Sequence, residues 1–108
     1  MSEELVKPGE RAVEEMEGYI RDLLDVMNDI LAKNKRALSD AGISSRLGVL
    51  LGVMTMHRYN PDLFMQYWNE FKSLVEKCKA VPTVKDRVSN EVDPLIAQIE
   101  ALKSGAGL

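Results

Sequence analysis

Apolar residues recur every three or four positions along the first third of the chain: Val13, Met16, Ile20, Leu23, Met27 and Ile30. On a helix that spacing places them on one face, as in the a/d seam of a heptad repeat. Tyr19, Leu24, Leu31 and Leu38 widen the stripe, which suits a helix bundle better than a two-stranded coil. The pattern predicts a first helix over 9–41. It starts after the Pro8-Gly9 break and ends at Gly42, a residue free to take positive φ. Asn34 falls where the seam asks for an apolar side chain. It either sets register within the seam or lies exposed near the helix end. The shift of the stripe toward Leu31 and Leu38 favours the second.

A second helix is predicted over 44–59, capped by Ser44 or Ser45. Leu47, Val49, Leu50, Leu51, Val53, Met54 and Met56 make it apolar on nearly all sides, so it is expected to be the most buried element. Ser44, Gly48 and Gly52 stand four apart. They form a bare ridge against which another helix backbone could pack closely, offsetting the roughly 2 kcal/mol that two helix-interior glycines cost. Asn60 and Pro61 supply a cap and a first-turn proline for a third helix over 61–80. Its inner face would hold Phe64, Trp68, Phe71, Val75 and Cys78, with Tyr67 and Leu74 beside them.

The fourth predicted helix covers 83–103, with Thr83 as cap and Asp86 three residues on. Val84, Val88, Val92, Leu95, Ile99 and Leu102 continue one stripe through Asp93-Pro94. A kink or tight restart at Pro94 is therefore expected. Residues 104–108, small and glycine-rich, read as a flexible tail. The expectation is an all-α, four-helix bundle-like single domain over 1–108. It has a long N-terminal helix, a short buried second helix and a Pro-kinked or broken fourth.

Composition narrows the class. The 108 residues are 45% apolar and 29% charged, a globular balance. The single cysteine, Cys78, forms no disulfide within the chain and points to a reducing setting. The acidic opening Met1-Ser2-Glu3-Glu4 lacks a signal-peptide layout. The longest apolar run, Leu47 to Met56, covers only about 15 Å of helix. A cytoplasmic protein without a membrane anchor is expected.

The net charge of −3 is unevenly spread. Residues 1–31 carry nine acids against three bases, 32–90 carry ten bases against five acids, and 91–108 carry three acids against one base. Helix-dipole matching accounts for Glu10, Glu14, Glu15, Lys33, Lys35 and Arg36. It leaves a surplus of bases in the middle. An acidic arm and a basic middle could pair between copies, or the middle could face an anion.

The chain offers little for catalysis. One His and one Cys, on different predicted helices, make no metal set. Glu14, Glu15 and Glu17 lack the Glu-x-x-His spacing of di-iron bundles. His57 has no nucleophile motif beside it and reads as the polar end of the second helix. Gly48 to Gly52 is not a phosphate loop, because no Lys-Ser or Lys-Thr follows. No enzyme activity, cofactor, metal or small-molecule substrate is expected.

Two functions from different classes remain. The first is a non-enzymatic interaction or assembly subunit, a homodimer or part of something larger, that docks through Val13, Met16, Ile20, Leu23, Met27, Ile30 and Leu31. It supposes that the first helix outreaches its companions. The second is binding of a nucleic-acid backbone through Arg46, Arg58, Lys72, Lys79, Lys85 and Arg87. The aromatics Phe64, Tyr67, Trp68 and Phe71 of the third helix, with Tyr59 just upstream, lie between these bases and read mainly as core, with Tyr67 the member of that helix expected at the surface. In size and helix content the chain is similar to small helical subunits of RNA-guided defence complexes, a likeness of architecture that no motif carries.

Overall fold

The apolar stripe of the N-terminal third folds as α1 (Pro8–Lys33). The computed structural model describes the backbone of residues 8–105 and the side chains of 13–105. Residues 106–108, the end of the expected tail, lie outside the described residues, while Ser104 and Gly105 belong to the last helix. Pro8 and Gly9 form the first turn of α1 instead of preceding it, as a proline without an N–H can.

Every described segment is helical or a turn, and no strand is present among them. After α1 come α2 (Lys35–Asp40), α3 (Ser44–Met56), α4 (Pro61–Met65) and α5 (Trp68–Cys78). α6 (Pro82–Arg87), a π turn (Val88–Val92) and α7 (Asp93–Gly105) follow. Three of the four expected helices are thus divided, and the fold is not a simple four-helix bundle.

Each division has a local cause. At Asn34 the backbone swings to φ −124° and ψ 25°, and the side-chain amide donates to the Ile30 carbonyl at 3.0 Å. This use of Asn34 separates α1 from α2 by competing for a helix carbonyl. The third predicted helix breaks at Gln66 and Tyr67, where both N–H groups donate to carbonyls three residues back, a 3₁₀-type tightening.

The π turn answers Pro94. Proline has no N–H to donate, and its ring crowds the carbonyl four residues back. Widening the preceding turn so that Asp93 N–H reaches the Val88 carbonyl accommodates it. The same device keeps the valines inward. Residues four apart on an α-helix drift by about 40° per step. The wider turn reverses that drift, and Val84, Val88, Val92 and Ile99 are all fully buried.

Caps follow the sequence in part. Gly42 ends α2 at φ 75°. Its N–H donates to Ser39 O at 3.0 Å, and the Ile43 N–H donates to Leu38 O at 2.9 Å. That is a Schellman closure, with Leu38 and Ile43 buried together beneath it. Ile43 therefore leads directly into α3, and neither Ser44 nor Ser45 caps it. Asn60 does cap α4, accepting from Leu63 N–H at 3.4 Å. Thr83 is not a cap: α6 begins at Pro82, preceded by Val81 without a side-chain bond.

The core is one cluster running from Met16 to Ile99. α1 packs along α7 and the π turn on one side and along α3 on another. The 24 residues of α6, the π turn and α7 are nearly as many as the 26 of α1. The two rods are about 36 and 39 Å long at 1.5 Å per residue, in a molecule 55 × 24 × 19 Å. The seam expected to outreach its companions is matched by one of them. Met16, Ile20, Leu23, Met27 and Ile30 are fully buried within the chain, and Val13 and Leu31 are half-buried. The first five are core and Leu31 packs against it, so the expected partner interface along α1 is corrected accordingly.

Candidate interaction face

α3 presents four sides, set by 100° per residue. Leu47, Leu50, Leu51 and Met54 point into the core. Gly48 and Thr55 lie on the flank toward α1. Leu31 Cδ2 stands 3.8 Å from where a Cβ on Gly48 would be, and the Thr55 hydroxyl donates to Leu51 O at 2.7 Å. Arg46 and His57 lie on the flank toward α4 and α5. Arg46 Nη2 donates to Glu70 Oε1 at 2.6 Å, with a second bond from Nε to Oε2. The His57 ring stacks on Tyr67 with centroids 6.2 Å apart and planes 3° from parallel.

The fourth side has nothing over it. Ser45, Val49, Gly52 and Met56, spaced four, three and four, face solvent, and Tyr59 follows just past the helix. Val49 is 56% exposed, Met56 78% and Tyr59 73%. These are the large hydrophobics exposed among the described residues. The helix expected to be the most buried element therefore buries one side in the core and leaves the opposite side open to solvent. Met56, one of the apolar residues that led this helix to be expected buried, is at the surface, as is Tyr59 just upstream of α4, while among the aromatics of the third predicted helix Tyr67 alone is only half-buried. Exposed large apolar side chains gathered at one side and end of a helix mark an interaction site more often than scattered single residues do.

Of the ridge Ser44, Gly48, Gly52, Gly48 lies beside Leu31 of α1, but Gly52 is not pressed against a helix of its own chain. A Cβ at Gly52 would meet nothing within 4 Å. Beside the ridge runs a cleft between α3 and α1. A hollow of about 530 Å³ is lined by Asn28, Leu31, Ala32, Lys35, Ser44, Ser45, Gly48 and Val49. One of about 320 Å³ follows between Arg21, Asp25 and Asn28 on α1 and Thr55, Arg58 and Tyr59. A third, of about 270 Å³, reaches Glu14 and Glu17. α3 thus runs antiparallel to α1. Arg58 donates to Thr55 O at 3.0 Å and lies 4.8 Å from the centroid of the Tyr59 ring, holding that end of the cleft in shape.

The basic residues expected to meet phosphate are mostly tied to carboxylates. Arg46 binds Glu70, Lys72 donates to Glu100 at 2.5 Å, and Lys79 bridges Glu76 and Asp93 at 2.8 Å each. Arg87 joins Asp29 at 2.7 Å to Glu91 at 2.8 Å. These pairs hold Glu70, Glu91, Glu100 and Asp29 below the usual carboxylate range. Arg58 is committed to Tyr59 and the α3 carbonyl, leaving Lys85 outside any ion pair among the described residues. The sequence shows the bases but not their partners, which lie as far as 58 residues away.

Phe64, Trp68 and Phe71 are core: the Phe64 ring is tilted 41° to Trp68 at 5.8 Å, and Phe71 stacks on Trp68 at 5.6 Å. The buried Trp68 Nε1–H approaches the Glu100 carboxylate without reaching hydrogen-bonding geometry. Among the described residues no three His, Cys, Asp or Glu side chains group as a metal site, and no helix is long and apolar enough to cross a membrane. No protein-family model, no curated protein and no solved structure matches this chain.

Proposed function

We propose that this protein is a non-enzymatic interaction or assembly subunit of the cytoplasm, docking through the outward side of α3 in place of the α1 seam. The observation that carries the reading is the exposure of Val49 and Met56 on the outward side of α3, with the exposed Tyr59 in the turn that follows. Burying three such side chains against a partner contributes about 1.5–3 kcal/mol for each fully covered residue. The adjoining cleft gives the stripe a shaped border, and the internal ties of Arg46, Lys72, Lys79 and Arg87 leave the phosphate-binding reading without support.

The test compares the full chain with Met56→Glu in affinity purification from a cell extract. A stoichiometric companion, either another protein or a second copy of the chain, is expected with the parent and lost with the variant. Recovery of no companion, or of one indifferent to Met56, removes the proposal.

A further inference from the structure

We propose that the cleft between α1 and α3 seats an amphipathic helix of another protein, acidic at its N-terminal end and basic toward its C-terminal end. The inference rests on the interaction reading above and names the kind of partner. The three hollows beside α3 form one trench. The first two share Asn28, and the last two share Arg21, Arg58 and Tyr59.

Spacing selects a helix. The α1 wall holds Gly18, Arg21, Asp25, Asn28, Ala32 and Lys35, in alternating steps of three and four. That repeat keeps one continuous seam, which a companion helix follows in a shallow left-handed coil. Gly18, Ala32 and Gly48 raise nothing larger than a methyl into the trench, so a visiting backbone can come close. A Cβ at Gly18 would meet nothing within 4 Å, and no packing inside the chain offsets what a glycine costs in mid-helix. Leu31, Val49 and Tyr59 border the trench with apolar surface, as helix-in-groove docking requires.

Charge selects the polarity of that helix. At one end Lys35 lies beside Ser44 and Ser45, where α3 begins with no side-chain cap and no acid in its first turn. The ammonium and the positive helix end both favour an acid there. Toward the other end stand Asp25, Glu17 and Glu14. The two arginines among them are engaged: Arg21 with Asp22 at 3.5 Å, and Arg58 with Thr55 O and the Tyr59 ring. Lys35, Asp25 and Glu17 have no ion pair among the described residues. A helix with acids in its first turn and bases toward its last matches these charges and its own dipole together. It lies antiparallel to α1, and the roughly 31 Å from Lys35 to Glu14 takes about 21 of its residues. The same acids repel a phosphate backbone.

The experiment selects a phage-displayed library of single helices, randomised along one face, on the immobilised full chain. Enriched sequences should carry acids in the first turn, small or apolar residues at steps of three and four, and bases toward the end. In NMR titrations, synthetic copies should shift the amide signals of Gly18, Asn28 and Gly48 most. Gly18→Gln and Ala32→Gln, which raise side chains into the trench, should each weaken binding by at least about tenfold. Lys35→Glu combined with Glu17→Lys should make selection favour the opposite polarity. No enrichment, enriched helices without charge polarity, or shifts centred on α5 or α7 overturn the proposal. If that happens while an extract yields a companion lost with Met56→Glu, a second copy of the chain included, the interaction reading stands and this inference alone fails. If neither is seen, both fail.

Discussion

Arg87 and Asp29 join opposite ends of the sequence: Nη1 of the arginine donates to Oδ2 of the aspartate at 2.7 Å across 58 residues. The other edge of the guanidinium grips Glu91 with two bonds of 2.8 and 3.0 Å. One planar cation therefore fastens the π turn to α1, with Lys33 a further 3.3 Å from the same aspartate. Arg87→Gln should speed amide exchange through residues 88–93 more than in α5. Equal acceleration in both segments, measured by hydrogen–deuterium exchange, would count against a local clamp.

Acid should loosen the fold in a defined window. Glu100 is held low first by the Lys72 ammonium and then by the nearby Trp68 N–H, against the opposing effect of burial. A carboxyl depressed in the folded state contributes its stability above its unfolded pKa. It loses that stability as pH falls through the folded value. Asp29, Glu70 and Glu91 shift the same way. Thermal stability should be level near neutrality and decline below about pH 4.5. Glu100→Gln should show a shallower decline, and identical melting profiles from pH 3 to 7 would refute the assignment.

Phe71 lies between Trp68 and the rest of the core with no exposed surface. Phe71→Ala should cost about 3–5 kcal/mol, a large share of what a domain of this size holds. Met56→Glu, at the surface, should change stability by less than about 0.5 kcal/mol. Urea titrations of the two variants separate core from face. A comparable loss at Met56 would mean that this side chain is part of the core.

Gly52 offers a sharper separation. Since a Cβ there meets nothing within its own chain, Gly52→Ala should stabilise the isolated fold by about 0.5–1 kcal/mol through helix propensity. The same methyl should weaken any assembly built on that face. Denaturation of dilute protein, set beside sedimentation of concentrated protein, should show the two quantities moving in opposite directions.

Local signals were readable wherever a few neighbouring residues decide the outcome. Gly42 closes its helix as its place after the stripe implies, and Asn60-Pro61 restarts the chain with the expected cap. The inward set Phe64, Trp68, Phe71, Val75 and Cys78 is all buried. The break at Tyr67 was not legible because apolar spacing runs through it, and Asn34 showed as a polar residue in the seam without showing that its amide would take a backbone carbonyl and divide the helix. The C-terminal rod was legible as one stripe over 83–103, but periodicity does not reveal that this rod lies along the α1 seam and covers it. α3 posed the opposite difficulty. With apolar residues on every side, its sequence has no periodicity to say that Leu50 and Met54 turn inward while Val49 and Met56 turn out. The candidate face emerges only when the helix is placed against α1 and α5.

The lone thiol carries a practical consequence. Cys78 is sealed within the interior, and burial also raises its pKa, so little reactive thiolate is present while the molecule stays closed. A thiol reagent must wait for an opening event. The labelling rate therefore clocks how often the native state exposes its centre, and any partner that braces the molecule should slow that clock without touching the sulfur.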